Sequence, residues 1–329
     1  MLAHAETYRI ATYAAPLSRD GPGLLLRDIR KGEDTQIAAT REVIALLRPD
    51  VIVLTDFDYD LDGLALAAFA DLFEDSYPHS FAARPNTGLA TGLDLDRNGR
   101  TGEARDAQGY GRFAGDGGMA VLSRFAIDAA NVMDLSDVLW RDLPGAVLPL
   151  IEGQPFLPDE VLAIQRLSTS GHWIIPVQPP SVAPFNLLSF SATPPVFDGV
   201  EDRNGLRNRD ELRMWEVVLD GGFGAAPDSF VIAGNANLDP NSGAGLTQAM
   251  ADFLNRQDVQ DPHTGLPTAN WDDEGPGDLR VSYVLPSVQW RVVDAGVFWP
   301  ASEAPNAALL GSDGLAAGVH HLVWVDISR

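Results

Sequence analysis

The clearest indication of the fold comes from residues 185–215, FNLLSFSATPPVFDGVEDRNGLRNRDELRMW. The stretch begins with FNLLSF (185–190), a short apolar run that ends in small and polar residues, as a buried strand does. It continues through a charged loop into DELRMWEVVLD (210–220), where apolar residues recur at helical spacing. A buried strand followed by an amphipathic helix is typical of an α/β protein.

The same alternation continues on both sides of this stretch. Further strand-like runs are VIVLT (51–55), MAVLS (119–123) and FVIAG (230–234). Further helix-like stripes cover residues 34–48 and 246–256. Two stretches have no clear hydrophobic period. Residues 84–118 are rich in Gly and Asp, and residues 141–160 are rich in Pro. We therefore predict an α/β fold with loop insertions at these two places.

Charge limits the kinds of partner. The chain has 46 acidic and 23 basic residues, a formal net charge of −23, and Lys31 is its only lysine. Such a surface repels polyphosphate backbones, whereas nucleic-acid binding normally requires a basic stripe. We therefore expect a small phosphorylated molecule or a protein as the partner, and not nucleic acid. The absence of cysteine also excludes disulfides, thiolate metal sites and a cysteine nucleophile.

The N-terminus carries a weak export signal. Ala3-His4-Ala5 before Glu6 has the small-x-small form of a signal-peptidase site, without the basic and apolar regions that normally precede it. One interpretation takes residues 1–8 as the remnant of a cleavage region and predicts a periplasmic or secreted protein. The other is a chance A-x-A in an alanine-rich, cytoplasmic chain. No apolar run of about 18 residues is present, so no transmembrane helix is expected.

Several segments resemble the endonuclease/exonuclease/phosphatase superfamily, and they occur in the order of that family. They are RIATYAAPLSRD (9–20), RPDVIVLTDFDYD (48–60), the stretch 185–215, FVIAGNANLDP (230–240), LRVSYVLPS (279–287) and GVHHLVWVDI (318–327). The resemblance implies a four-layer α/β/β/α sandwich of two packed, mostly antiparallel sheets flanked by helices. We expect one domain over residues 1–329, with 84–118 as a Gly/Asp-rich insertion.

The resemblance also implies a reaction, the metal-dependent hydrolysis of phosphate esters, with Mg²⁺ or Mn²⁺ held by oxygen ligands. In the family, catalysis depends on an Asn in the first strand, a Glu ending the second, a central His, the Asp and Asn of a GDxN turn, an Asp in a RxDY strand, and a terminal SDH. The matching positions here are Ala14, Asp56, Ser191, Asn235 with Asn237, Ser282, and Val319 with His320.

The metal-linked positions are weakened. Ala14 has no oxygen ligand in its side chain. Asp56 keeps a carboxylate but is shorter than Glu by one methylene, and a displacement of about 1 Å can cost a hundredfold in rate. Asp58 lies two residues later, on the same side of the strand, and could assist Asp56 as a ligand. We expect weak or absent binding of Mg²⁺ or Mn²⁺.

The proton-transfer positions have changed more. Asn235 carries an amide, which cannot accept a proton at neutral pH, and the loss of a general base typically costs 10²–10⁴-fold in rate. His320 is retained, but Ser282 and Val319 replace the two aspartates that would orient it. Ser191 replaces the central histidine. The sequence therefore predicts a protein with impaired chemistry.

Each retained polar residue also has a purely structural interpretation. Asn237 can cap the turn that contains it, because Asn side chains bond nearby backbone amides. His320 can be a core histidine with satisfied hydrogen bonds. Arg203 and Arg207, in the charged loop of 185–215, either form solvated salt bridges or bind a substrate phosphate.

One further motif resembles a calcium loop. Asp94, Asp96 and Asn98, followed by Gly99, reproduce the first half of a loop in which alternating oxygen ligands face one ion. The bidentate Glu expected at the twelfth position is replaced by Arg105, and Glu103 and Asp106 lie nearby. The alternatives are a structural Ca²⁺ site and a solvated acidic turn.

Two main hypotheses for function follow. In the first, the protein is a superfamily member that is catalytically impaired or inactive and has a binding or structural role. In the second, it is an active phosphomonoesterase or phosphodiesterase that uses a rearranged site of Asp56, Asp58, Asn237 and His320 on a small phosphorylated substrate. The strand motifs are intact while the ionisable positions have changed, which favours the first hypothesis.

Overall fold

Two large sheets packed against each other form the centre of the computed structural model, which describes residues 6–271, 275–310 and 317–329. The Ala3-His4-Ala5 motif lies outside the described residues. Within the described ranges, the helices are too short or too polar to cross a membrane.

The elements alternate along the chain as the sequence predicts. The strands are β1 (Thr7–Leu17), β2 (Val51–Phe57), β3 (His79–Phe81), β4 (Gly118–Ser123), β5 (Ala126–Ile127), β6 (Met133–Asp134), β7 (Leu150–Ile151), β8 (Gln154–Pro155), β9 (His172–Gln178), β10 (Phe185–Ser191), β11 (Phe230–Asn235), β12 (Ala269–Asn270), β13 (Asp278–Leu279), β14 (Ser282–Pro286), β15 (Arg291–Val297) and β16 (Val323–Ser328). The α-helices are α1 (Leu24–Lys31), α2 (Thr35–Leu47), α3 (Leu64–Ala70), α4 (Asp159–Leu162), α5 (Arg203–Leu219) and α6 (Thr247–Leu254). Short 3-10 helices lie at Asp71–Phe73, Ala104–Asp106, Ala129–Asn131, Trp140–Asp142 and Ala307–Leu310.

Each of the two sheets contains one pair of parallel strands among antiparallel neighbours. The first has the strand order β15-β16-β1-β2-β4-β3, and the second has the order β14-β11-β10-β9-β5, with β6 also paired to β9. Neighbouring strands are antiparallel except in the pairs β1–β2 and β10–β11, which are parallel. Because parallel strands end at the same edge of a sheet, each sheet brings two strand ends together, and loops at such ends commonly form binding sites.

Three apolar clusters separate the four layers. Val53, Trp173 and Val231 belong to the cluster between the sheets. The outer face of the first sheet packs on α1, α2 and α3, and that of the second sheet packs on α5 and α6. Burying a Val, Leu or Ile side chain contributes roughly 1.5–3 kcal/mol, so these clusters hold the sandwich together. The predicted four-layer architecture is confirmed.

Helix α2 agrees closely with its prediction. The amphipathic segment 34–48 forms a helix over Thr35–Leu47, with Ile37, Val43 and Ile44 buried. Asp34 caps it, since its carboxylate accepts a hydrogen bond of 2.9 Å from the Ile37 amide. Local pattern and cap agree here, so the sequence places the helix within one residue at each end.

Helix α5 begins earlier than the sequence predicts. The sequence indicates a helix at 210–220 preceded by a charged loop, whereas the helix already begins at Arg203. Its buried face includes Arg207, Asn208, Asp210 and Glu211. Because polar residues occupy that face, no apolar stripe marks the first half of the helix. Arg203 and Arg207 therefore project from a helix and not from a loop.

Segment 84–118 is largely irregular up to the start of β4, apart from the 3-10 helix Ala104–Asp106. Asn86 anchors it, because this buried side chain donates hydrogen bonds of 2.8 Å to the carbonyls of Ser136 and Ser168. The segment contributes Tyr110 and Asp116, among others, to the cleft described next.

Candidate functional site

A cleft of about 990 Å³ opens where the parallel strand pairs end. The predicted site residues that line it are Ala14, Asp56, Asp96, Asn98, Ser191, Arg203, Arg207, Asn235, Asn237 and His320. Asp58, Asp94, Ser282 and Val319 are not among its lining residues. Positions spread over most of the chain thus meet in one cavity, because the sheets carry their strand ends to the same edge.

Asp56 is turned toward the cleft by a bulge near the end of β2. The register between β2 and β4 shifts between Thr55 and Phe57, and Asp56 has a φ of 64°. A bulge re-aims a side chain, and Asp enters the left-handed region more readily than most residues. The side chain of Asp56 is therefore exposed to the cleft while its two neighbours are buried.

Asp116 is another carboxylate of the cleft, close enough to Asp56 to influence its pKa, and it was not predicted from the sequence. It lies in the turn GDGG (115–118) that leads into β4. Its Oδ1 accepts from Ser18 Oγ at 2.9 Å, and its Oδ2 accepts from the Arg112 amide at 2.8 Å. The adjoining Gly117 has a φ of +56°, and a Cβ there would lie 2.9 Å from Asp56 Oδ1. A glycine-rich turn before a buried strand was the available signal.

Negative charge accumulates around Asp56. Although Asp56 reaches the cleft, the surrounding protein atoms desolvate its carboxylate. This desolvation, followed by the nearby carboxylates of Asp58 and Asp116, raises the pKa of Asp56 to about 6, although Arg112 and Arg19 act in the opposite direction. Unlike those neighbours, Asp56 makes no side-chain hydrogen bond to any residue in the described ranges. This carboxylate is therefore available to a cation or a ligand.

Asp58 has a structural role. Its two carboxylate oxygens accept hydrogen bonds from the backbone amides of Arg19, at 2.8 Å, and Gly117, at 3.0 Å. The side chain is buried, and burial raises the pKa of Asp58 to about 6. It ties two loops to the end of β2 and supports Asp56 without lining the cleft itself.

Asn235 and Asn237 bond to each other. Asn235 Nδ2 donates to Asn237 Oδ1 at 3.2 Å, and the Asn237 amide donates to Asn235 Oδ1, also at 3.2 Å. Asn237 Nδ2 also donates to the Ala192 carbonyl at 2.8 Å, and Asn237 has a φ of 49°. The two amides thus fix the turn after β11, as the structural interpretation of Asn237 expects, and both still border the cleft.

His320 faces the cleft without a polar partner for one ring nitrogen. Its Nδ1 is buried and has no hydrogen-bond partner within the described residues. The ring makes an edge contact with Trp271 at a centroid distance of 5.3 Å. Burial, with a smaller effect of His321, lowers the pKa of His320 to about 4. The imidazole is therefore neutral at pH 7.

The two positions that match the family's histidine-orienting aspartates cannot hold this ring as a carboxylate would. Ser282 is buried opposite Asn235 in the β11–β14 pairing, and its Oγ has no hydrogen-bond partner in the described part of the chain. Val319 offers only a methyl-bearing side chain. His321 lies on the opposite face, stacked on Trp299 at a centroid distance of 4.0 Å, as strand alternation predicts.

The two predicted anion-binding arginines differ. Arg207 is buried, and its Nε and Nη2 donate to the backbone carbonyls of Leu167, Gln108, Arg166 and Ser168 at 2.6–3.2 Å. Arg203 donates to the Leu95 carbonyl at 2.6 Å and makes no ion pair within the described ranges. Burial lowers the pKa of both guanidinium groups, that of Arg207 to about 10. Arg203 is thus the more available of the two cations.

The calcium-like loop brings together three carboxylates. One oxygen from each of Asp94, Asp96 and Asp106 lies within 4.8 Å of the others. Asn98 instead donates its side-chain amide to Asp96, at 3.2 Å, and to Glu103, at 2.7 Å. Asp106, one residue beyond the expected end of the motif, supplies the third carboxylate.

The cleft residues fit a hard divalent cation. Mg²⁺ keeps several waters and is commonly bound through only one or two carboxylates, and Mn²⁺ accepts the same ligands. Asp56 and Asp116 are the cleft carboxylates that would hold it. Bound there, the ion would neutralise their charge and polarise a phosphoryl group. Ala14, Asn235 and Asn237 add no charge to this donor set.

Comparison with known proteins agrees with this arrangement at the level of fold. An endonuclease/exonuclease/phosphatase protein from Beutenbergia cavernae DSM 12333 is 17% identical, with a TM-score of 0.58 over 98% of this chain and 71% of the other. Sphingomyelinase C from Streptomyces griseocarneus is 14% identical, with a TM-score of 0.53 over 98% and 99%. The human Nocturnin catalytic domain with bound sulfate is 13% identical, with a TM-score of 0.51 over 99% and 94%.

Family membership rests on a longer match in sequence. No curated protein matches the chain, but the profile described as Endonuclease/Exonuclease/phosphatase family matches residues 28–313. That match covers most of the residues that line the cleft, including Asp56 and Asn235, while Ala14 and His320 lie outside it. The chain therefore belongs to the Endonuclease/Exonuclease/phosphatase family.

Proposed function

We propose that the protein binds a small phosphorylated molecule in the cleft and does not hydrolyse it at an enzymatic rate. The observation that carries the proposal is the state of Asn235, whose amide is bonded to Asn237 at the position where the family resemblance implies a carboxylate base. The family's reaction is phosphoester hydrolysis. The cleft thus brings together the positions that match the family's site, but it lacks the carboxylate that would accept the proton at position 235.

Arg203 supports the binding half of the proposal. A guanidinium group matches the geometry of a phosphate and can donate to it through two parallel hydrogen bonds. Arg203 lines the cleft and has no carboxylate partner in the described ranges, so binding an anion does not require a salt bridge to break. This matters in a chain whose net charge is −23, because most basic residues of the described ranges are held in ion pairs with carboxylates.

His320 supports the second part of the proposal, the absence of hydrolysis at an enzymatic rate. A histidine in the cleft could stabilise or protonate a leaving group only while it carries the proton, and its pKa of about 4 keeps it neutral at pH 7. Neither Ser282 nor Val319 can stabilise the charged form. Loss of both a base and an acid leaves positioning and electrostatics as the remaining catalytic effects.

One observation favours an active phosphoesterase as the second candidate function. Asp56 faces the cleft with a pKa of about 6, close to the value that suits a general base near neutral pH. With Asp116 beside it, the same carboxylate also fits a divalent cation. In that case Asp56 and Asp116 would carry the chemistry that Asn235 has lost.

Hydrolysis assays separate the two candidates. With Mg²⁺, Mn²⁺ or Ca²⁺, the purified protein should hydrolyse p-nitrophenyl phosphate and bis-p-nitrophenyl phosphate no faster than a heat-inactivated control. Robust turnover that disappears in Asp56→Ala would establish the second candidate and overturn the first.

A calorimetric titration with inorganic phosphate tests the binding half. Arg203→Gln should weaken phosphate binding by about tenfold, the effect of losing one charge-assisted hydrogen bond. Arg48→Gln is the matched control, because Arg48 is exposed at the C-terminal end of α2, outside the cleft, and makes no side-chain hydrogen bond or ion pair within the described residues. Equal affinities of the two variants would contradict the role of Arg203.

We also propose that Asp94, Asp96 and Asp106 hold a structural Ca²⁺. Three convergent carboxylates supply hard oxygen ligands and a net charge that a divalent cation offsets. The ion would tie the start of the loop to Asp106, which already accepts hydrogen bonds of 3.0 Å from the Leu95 and Glu103 amides.

A further inference from the structure

The loop between β10 and α5 holds an aromatic side chain outward at the mouth of the cleft. Phe197 lines the cleft, yet 82% of its surface is exposed. Its φ is 71°, a left-handed conformation that is a genuine outlier for a bulky residue. Phe197 therefore bears backbone strain without the gain that burial would bring, and such strain tends to persist at functional positions.

Contacts on both sides impose this conformation. Asn204 Nδ2 donates to the Val196 carbonyl at 2.7 Å, and the Asn204 amide donates to the carboxylate of Asp198. Both bonds come from the first turn of α5, the helix that begins with Arg203. One helix terminus thus holds the residues on both sides of Phe197 and carries the guanidinium of Arg203, which makes no ion pair within the described ranges, and Phe197 and Arg203 border the same cleft.

Part of the cleft wall is apolar. Leu95, Trp140, Phe156 and Trp271 line it together with Phe197. Ligand sites commonly combine an apolar wall with a few polar groups that fix orientation. A free phosphate ion would use Arg203 and leave this wall unoccupied.

From these observations we infer that Phe197 is a specificity-determining residue and that the cleft prefers phosphate esters with an aromatic or similarly flat apolar group. The anionic end lies toward Arg203 and the apolar group packs on Phe197. This inference rests on the proposed function, because it assumes that the cleft binds a phosphorylated molecule.

Two phosphonates provide a direct test, since neither can be hydrolysed at its P–C bond by the family's reaction. Methylphosphonate carries the anionic group alone, and 1-naphthylmethylphosphonate adds an aromatic group. By calorimetric titration, the wild-type protein should bind the naphthyl compound at least about tenfold more tightly, the scale of one aromatic contact. Phe197→Ala should remove this preference and leave the affinity for methylphosphonate unchanged.

Two further variants keep the test decisive. Phe197→Gly should lose the same preference while melting no lower than the wild type, because glycine adopts a positive φ without strain. Val200→Ala is the control, since Val200 lies on the same loop, is 92% exposed and does not line the cleft. The inference is overturned if the two phosphonates bind equally well or if Val200→Ala has the effect of Phe197→Ala. If neither phosphonate binds, the proposed function itself fails.

Discussion

Asn235 and Asn237 hold each other in place at the end of β11 through two hydrogen bonds of 3.2 Å. The pair closes the turn that follows the Ser191–Asn235 pairing, and this turn borders the same cleft as Asp56. An aspartate at position 235 would be an acceptor for the same Asn237 amide, so the turn does not depend on the amide. The fold thus tolerates either side chain, while only a carboxylate could accept a proton from water.

Restoring the family positions together should restore chemistry, because the framework that would hold them is present. The combined variant should gain phosphoesterase activity with Mg²⁺ or Mn²⁺, measured on a panel of phosphate esters. Each single change should have almost no effect, since catalytic groups that act as a unit are strongly non-additive. The changes are Ala14→Asn, Asp56→Glu, Ser191→His, Asn235→Asp, Ser282→Asp and Val319→Asp.

The stability of the combined variant provides its control. Several buried acids without a cation repel one another, so the variant should melt below the wild type in EDTA and recover when Mg²⁺ or Mn²⁺ is added. A variant that folds and binds metal but hydrolyses no substrate would show that these positions do not correspond to the family's site.

Asp56→Asn should stabilise the protein at high pH. The folded-state pKa of Asp56 is raised to about 6 from 3.8, so the folded state favours the protonated form, and this contribution to stability is lost as pH rises through about 6. An amide cannot ionise. Without added metal, the variant should therefore melt above the wild type at pH 8, by a few degrees at most because the side chain is accessible, and equal to it at pH 3.5.

Thermal melts across this pH range, with Asp62→Asn on an exposed loop as the control, check this expectation. A pH-independent difference between Asp56→Asn and the wild type would mean that the charge of Asp56 is not the cause. Saturating Mg²⁺ should also reverse the order at pH 8 if the ion binds Asp56, because it then stabilises the wild type alone.

Millimolar Ca²⁺ should raise the melting temperature relative to EDTA. A ligand that binds only the folded state stabilises it by about 2.7 kcal/mol at one hundred times its dissociation constant. Asp96→Asn should remove most of this gain in differential scanning fluorimetry, since Asp96 belongs to the carboxylate cluster. Asp137→Asn, at a carboxylate outside the loop, should retain the gain. Identical melts in Ca²⁺ and EDTA would identify the loop as a solvated acidic turn.

Arg207→Met should destabilise the fold by about 3–5 kcal/mol, the usual cost of leaving a buried charge uncompensated. Arg207 is the main favourable charge for Glu211, whose pKa burial raises to about 7. The variant also removes the hydrogen bonds of Arg207 to four carbonyls. Urea unfolding measures the loss, with the exposed Arg48→Met as a control that should change stability little.

The same variant has a predictable pH dependence. Below pH 6, the raised pKa keeps Glu211 largely protonated in the folded state, so it depends less on the positive charge of Arg207. The loss in Arg207→Met should therefore be smaller at pH 5 than at pH 8. A loss that is equal at both values would assign the effect to the carbonyl hydrogen bonds alone.

The elements that agree with their prediction are those in which local signals act together. Helix α2 combines an amphipathic stripe with the Asp34 cap, and the runs at 51–55 and 230–234 are short and bounded by small or polar residues. Helix α5 did not follow this rule. Its first half buries Arg207 and Glu211, whose hydrogen-bond partners lie on other elements, so local pattern placed its start seven residues too late.

Strand periodicity and motif order were sufficient to predict the fold class, the family and the order in which Ala14, Asp56, Asn235 and His320 occur along the chain, because both are local properties of the sequence. Which side chains meet became known from the folded chain. Asp116 joins Asp56 because β2 and β4 pair antiparallel, and Asp106 joins Asp94 because the loop between them closes. Phe197 points outward because Asn204 holds its neighbours. These relationships depend on contacts between distant or looped segments, which spacing along a chain does not specify.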